Sequence, residues 1–120
     1  MLRNMTTAIG ALILAVLGGL AIGLPAFAGE AAMAKGKELA FDRKKGNCLA
    51  CHMIDDGDLA GNVGPPLLAM KARYPEQSEL RDQIWDATAA NPRTTMPPFG
   101  KHGILTDEEI DLITAYIYTL

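Results

Sequence analysis

Two cysteines stand two residues apart and run straight into a histidine, giving Cys48-Leu49-Ala50-Cys51-His52. In a C-x-x-C-H run each thiol can add across one vinyl group of a haem, while the following histidine ligates the iron. These are the only cysteines of the chain. Attachment of one haem c through Cys48 and Cys51 therefore uses both and leaves none for a disulfide. A thioredoxin-type redox pair wants a strand before the motif, and a zinc site wants two further ligands. The chain has one other histidine, His102, and no other cysteine. The pattern points to haem c with His52 on the iron.

A ligating imidazole needs an acceptor for its other ring nitrogen. Downstream lies Gly64-Pro65-Pro66-Leu67. Pro65, fixed in φ and lacking an N–H, is expected to offer its carbonyl to His52 Nδ1. Leu67 would then touch the haem face; the plainer alternative for this segment is a rigid turn. For the sixth iron ligand the candidates are Met33, Met53, Met70, Met96 and His102. Met53 adjoins His52 and cannot reach the far face of the haem. Met33 precedes the motif on a helix, and Met70 follows the proline loop too closely. Met96 sits in Thr94-Thr95-Met96-Pro97-Pro98-Phe99-Gly100, where the prolines forbid a helix and a stiff loop can hold the thioether toward the iron. Met96 is the expected ligand, with His102 second and otherwise a surface residue. A thioether ligand favours ferrous iron and raises the potential.

Three helices are expected to position these residues, with no strand-like alternation and no internal repeat, so the fold class is all-α. The first spans Ala31 to Lys44, with Met33, Gly36, Leu39, Ala40 and Phe41 inward and Gly46 as its stop. The second spans Glu79 to Ala89, capped by Ser78, with Leu80 and Ile84 on its stripe, Trp85 packed beside it and Asn91-Pro92 ending it. The third has the clearest start. Thr106 and Glu109 form a capping box, Leu105 can staple onto Ile110, and Ile110, Ile113, Ile117 and Leu120 make one face. Gly36 and Ala40, small and four apart, would let this helix cross the first closely at Tyr116 or Ile117.

At the N-terminus Arg3 is the single charge before an uncharged stretch from Ala8 to Leu24, and Ala26-Phe27-Ala28 reads as an A-x-A cleavage site. Residues 1–28 are expected to be a cleaved export leader and residues 29–120 one monohaem cytochrome c domain, located in the periplasm without stable membrane insertion. An uncleaved anchor is the alternative. The chain holds 11 basic and 14 acidic residues for a net charge of −3; removal of Arg3 with the leader leaves −4. A mildly acidic domain argues against nucleic acid as a partner. Lys35, Lys37, Arg43, Lys44 and Lys45 precede the haem motif, whereas Asp55, Asp56 and Asp58 follow it. The basic run is either a solvated face or a docking face for an acidic partner. So small a domain has a modest core, so haem insertion and folding should be coupled.

Four stretches together resemble the SoxX family, the small monohaem cytochrome c subunits of bacterial sulfur oxidation. They are Phe41-Asp42-Arg43-Lys44-Lys45-Gly46-Asn47, Gly61-Asn62-Val63-Gly64-Pro65-Pro66-Leu67, Met96-Pro97-Pro98-Phe99-Gly100, and Ile104-Leu105-Thr106-Asp107-Glu108-Glu109-Ile110-Asp111-Leu112. The haem motif and the Gly-Pro step are common to many class I cytochromes c; the first and third stretches are what look like SoxX. The resemblance implies a class I cytochrome c fold and a heterodimer with a larger c-type cytochrome, SoxA. In that complex a cysteine-ligated haem joins thiosulfate oxidatively to a carrier-protein cysteine, and this chain would take the electrons and hand them to a downstream acceptor cytochrome. It further implies that Cys48 and Cys51 hold the haem, that His52 and Met96 ligate it, and that no residue here performs the sulfur chemistry. A free-standing diffusible cytochrome c serving a terminal oxidase uses the same fold and ligands and stays open. A haem sensor or peroxidase would require Met96 to leave the iron.

Overall fold

Two helices crossing at close range organise the chain: α1 (Pro25–Phe41) and α5 (Asp107–Ile117). At the crossing a Cβ on Gly36 would lie 2.0 Å from the Leu112 carbonyl oxygen, so only glycine permits this approach. Ala40 is fully buried one turn further on, and the Phe41 and Tyr116 rings meet edge to face with centroids 6.2 Å apart. Ile110, Ile113 and Ile117 are buried along the inner face of α5, each stabilising the fold by about 1.5–3 kcal/mol. The start of α5 is set locally. Thr106 Oγ1 accepts the Glu109 N–H at 3.2 Å, and Glu109 Oε2 accepts the Thr106 N–H at 3.0 Å. Leu105 and Ile110 are both buried, as a staple requires.

The computed structural model describes residues 25–54 and 56–120. The apolar stretch Ala8–Leu24 of the expected leader lies outside the described residues, as does Asp55 of the acidic run. Among the described residues there is no strand, and no helix is long and apolar enough to cross a membrane. Between α1 and α5 come a 3₁₀ turn at Cys48–Ala50 and three short helices, α2 (Met70–Arg73), α3 (Gln77–Trp85) and α4 (Ala87–Ala90).

The all-α expectation holds, while several boundaries differ for local reasons. Helix α1 ends at Phe41 rather than Lys44, because Asp42 turns the chain. Its side chain accepts the Lys44 N–H at 2.8 Å, and its carbonyl accepts the N–H groups of Lys45 and Asn47. Asn47 then takes the left-handed conformation (φ 48°) that leads into the 3₁₀ turn. Met33, expected in the core, is 37% exposed. The second expected helix is two. Glu76, rather than Ser78, caps α3 through a box with Glu79, and Asp86 interrupts the helix after Trp85 by accepting the Thr88 N–H at 3.1 Å, which starts α4. Trp85 leans away from its own helix: its Nε1–H donates to Asp107 Oδ1 at 3.2 Å, and its carbonyl accepts the N–H groups of Gly100 and Lys101. Through Trp85, α3 is tied to the loop that carries Met96 and to the first turn of α5. Helix α2 has no counterpart in the expected elements. It opens after Ala69, whose φ is 51°, and its Met70 N–H donates to the Leu120 carbonyl at 2.9 Å.

Candidate haem site

A cavity of about 570 Å³ opens between the 43–52 segment, the 63–67 loop, α3, the 94–99 loop and α5. This is within the roughly 300–1,000 Å³ of cofactor sites. Cys48, Cys51, His52, Pro65, Leu67 and Met96 all line it. The residues expected to hold and ligate a haem thus face one space, although they come from three separate segments.

The first wall is built from backbone. The 3₁₀ turn carries the two thiols, and the chain then runs beside the 61–67 loop. Gly61 N–H donates to the Leu49 carbonyl at 2.7 Å, Gly64 N–H to Cys51 at 2.8 Å, and Leu67 N–H to Met53 at 2.8 Å. Within that frame His52 Nδ1 stands 2.7 Å from the Pro65 carbonyl oxygen. A carbonyl only accepts, so Nδ1 carries the proton and the Nε2 lone pair is left for a metal. The close fit has a second cause, since a Cβ on Gly64 would lie 2.3 Å from His52 Cε1. Cys48 and Cys51 are unpaired and half-buried. Burial, above all, pushes the Cys48 thiol up to about 11, so at neutral pH it is an uncharged thiol.

The second wall is built from side chains. Met96 is half-buried, and its backbone is pinned by its N–H donating to Thr94 Oγ1 at 3.2 Å. Of the other candidates for the sixth ligand, Met33, Met53 and His102 do not line the cavity, whereas Met70 does and is almost completely buried. Arg73 covers Met70, with Nη1 3.5 Å from its sulfur and 2.9 Å from the Pro66 carbonyl oxygen. The sequence reading set Met70 aside on distance along the chain and missed that α2 turns it inward. Leu80, Ile84, Phe99, Ile113 and Ile117 supply the apolar lining. At the rim stand Arg43, Lys44 and Lys45, of which Lys45 is paired with Glu109 at 2.5 Å. The donor set fits a haem c: two adjacent thiols for thioether bonds, an imidazole with its second nitrogen already engaged, a thioether in the same space, and apolar walls for the macrocycle.

A model of the family described as cytochrome C oxidase, cbb3-type, subunit III matches residues 31–117. The chain belongs to this cytochrome c family. The cytochrome is also similar in structure to a chain of the crystal structure of SoxXA from P. pantotrophus. The TM-score is 0.65 at 26% identity, over 72% of this chain and 79% of that one. It is therefore a SoxX-like cytochrome with the class I cytochrome c fold. An uncharacterized lipoprotein of Aquifex aeolicus (strain VF5) is 41% identical over 76 residues. That match spans 62% of this chain and 37% of the length of the relative.

Proposed function

We propose that this cytochrome is the electron-accepting haem subunit of a periplasmic SoxAX-type complex, paired with a larger c-type cytochrome whose own haem site couples thiosulfate to a carrier-protein cysteine. Its role as a haem electron-transfer protein follows from the family and the fold. The observation that carries the site is the single cavity shared by Cys48, Cys51, His52 and Met96. A covalently held haem supplies one-electron chemistry there. Cys48 and Cys51 hold the group and His52 ligates it in an orientation set by Pro65. Met96, in the same cavity, would supply a second ligand to the iron, which would leave no position for a substrate. Leu67, Ile113 and Ile117 would keep water from the macrocycle, which lowers the reorganisation that accompanies a change of charge.

The choice of a subunit over a diffusible carrier is supported by the rim. Val63 and Ile104 both border the cavity and are 67% and 44% exposed, and Met53 and Leu68 beside the first wall are 53% and 57% exposed. Exposed apolar side chains on the part of the rim away from Arg43, Lys44 and Lys45 suit a surface that stays covered. The periplasmic assignment rests on the leader reading of residues 1–28 and on the need to attach haem c outside the cytoplasm. Affinity purification of the tagged protein from its own host grown on thiosulfate, with haem staining and mass spectrometry, tests the proposal. A stoichiometric, salt-resistant larger haem c protein is expected. Elution as a stable lone monomer would overturn the subunit reading in favour of the carrier.

A further inference from the structure

The loop that carries Met96 bonds mostly to itself. Pro92, Pro97 and Pro98 have no N–H to donate. The N–H groups of Thr94, Met96, His102 and Gly103 donate to Asn91, Thr94, Pro98 and Gly100, all within residues 91–103. Gly100 and Lys101 differ, because both donate out of the loop to the Trp85 carbonyl, at 3.0 and 3.2 Å. A carbonyl oxygen has two lone pairs, so one atom between α3 and α4 fastens two consecutive loop residues. Side chains close on the same place. Lys101 Nζ donates to Asp86 Oδ2 at 2.8 Å, while Asp86 Oδ1 accepts the Thr88 N–H that starts α4. The Trp85 indole lies against Gly100, where a Cβ would come within 1.9 Å of its Cδ1, and its Nε1–H is anchored on Asp107 in the first turn of α5. None of Trp85, Asp86, Gly100 and Lys101 lines the cavity.

We propose that these four residues form a clasp outside the cavity: Trp85 and Asp86 hold Gly100 and Lys101, and the strength of that hold sets how often Met96 leaves the iron. The inference rests on the proposed haem site with Met96 as ligand. Met96 stands four residues before Gly100, and Pro97 and Pro98 stiffen the chain between them. A movement at Gly100 is therefore passed to Met96 rather than absorbed on the way. Asp86 and Lys101 are positioning residues in this arrangement, acting on the iron only through the loop.

The test opens the clasp from either side in the haem-bearing protein, with Lys101→Met and Asp86→Asn. Methionine keeps the aliphatic stem and removes the ammonium group; asparagine keeps an oxygen for the α4 cap and removes the charge. Each is expected to raise the rate of imidazole uptake by the ferric protein about threefold, in keeping with one ion pair lost. The double variant should gain no more than either single one, and Lys101→Arg should behave as wild type. Amide hydrogen exchange at Gly100 and Lys101 should quicken in both single variants, while Gly61 and Gly64 in the first wall keep their protection. Lys37→Met, which removes a cation from the Lys37 and Asp56 pair on α1, should leave both readouts unmoved. Unchanged uptake and exchange in Lys101→Met overturns the inference. So does an equal gain in Lys37→Met, which would mark a general effect of charge, or a double variant whose gain is the product of the two. An unchanged spectrum in Met96→Ala alone would overturn the ligand assignment and the consequence drawn for the iron, while the amide exchange would separately show whether the clasp holds the loop.

Discussion

The two walls of the cavity are made in different ways. Around His52 three backbone hydrogen bonds zip residues 49–53 to residues 61–67, and the imidazole is locked between the Pro65 carbonyl and the bare face of Gly64. Around Met96 the frame is made of prolines, the Thr94 hydroxyl and a single contact from Gln83 to the sulfur. Backbone bonds are short-range and cooperative, whereas a thioether on rotatable bonds is held only by what packs on it. The contrast implies that the His52 side is organised in the polypeptide itself, and that the Met96 side is the one that yields.

The largest effect should come from striking the first wall at its covalent anchor. Cys48→Ala or Cys51→Ala is expected to abolish normal two-point attachment and sharply reduce accumulation of folded protein, read by haem staining after denaturing electrophoresis. Next comes Gly64→Ala. The added Cβ meets the His52 ring, and a loss of about 3 kcal/mol in denaturant unfolding is expected together with reduced haem loading. Met96→Ala strikes the second wall. It should leave attachment intact, cost less stability than Gly64→Ala, lower the potential and open the iron to added imidazole. A Met96→Ala protein destabilised as much as Gly64→Ala would break the contrast between the walls.

Two smaller effects sharpen the comparison from outside both walls. Thr106→Ala removes the cap of α5 and should cost about 1 kcal/mol while leaving the potential unchanged, since the box touches neither His52 nor Met96. The hydrogen bond from Lys45, and then the Thr106 backbone N–H, hold the Glu109 carboxyl below its ordinary value of 4.5. A folded-state value lower than the unfolded one stabilises the protein above pH 4.5, and the benefit is lost as pH falls through the folded value. Lys45→Ala should therefore flatten the decline in melting temperature between about pH 5 and pH 3. An identical decline in the variant would show that the pair contributes nothing measurable, as many exposed pairs do.

Legibility followed the range of the interactions. The α5 start was readable because Thr106, Glu109, Leu105 and Ile110 interact within a single turn. The close crossing at Gly36 was readable because a small residue four before another leaves few alternatives. The break between α3 and α4 was hidden, since Asp86 looks helical until Thr88 is seen bonding to it. The inward turn of Met70 was hidden too, because its N–H bonds to the Leu120 carbonyl at the far end of the chain.

The amino-acid sequence by itself determined the chemistry that is local: two thiols and an imidazole within five residues, a proline carbonyl available to the imidazole, and the caps and faces that make the chain helical. Those follow from covalent spacing and backbone stereochemistry, which do not wait for the fold. Only the tertiary structure decided that Met70 reaches the cavity beside Met96, that Gly64 lies against the His52 ring, and that Gln83 meets the Met96 sulfur. Such contacts join segments whose separation is set by how α1 and α5 cross, and that crossing is a property of packed surfaces rather than of any short stretch of chain.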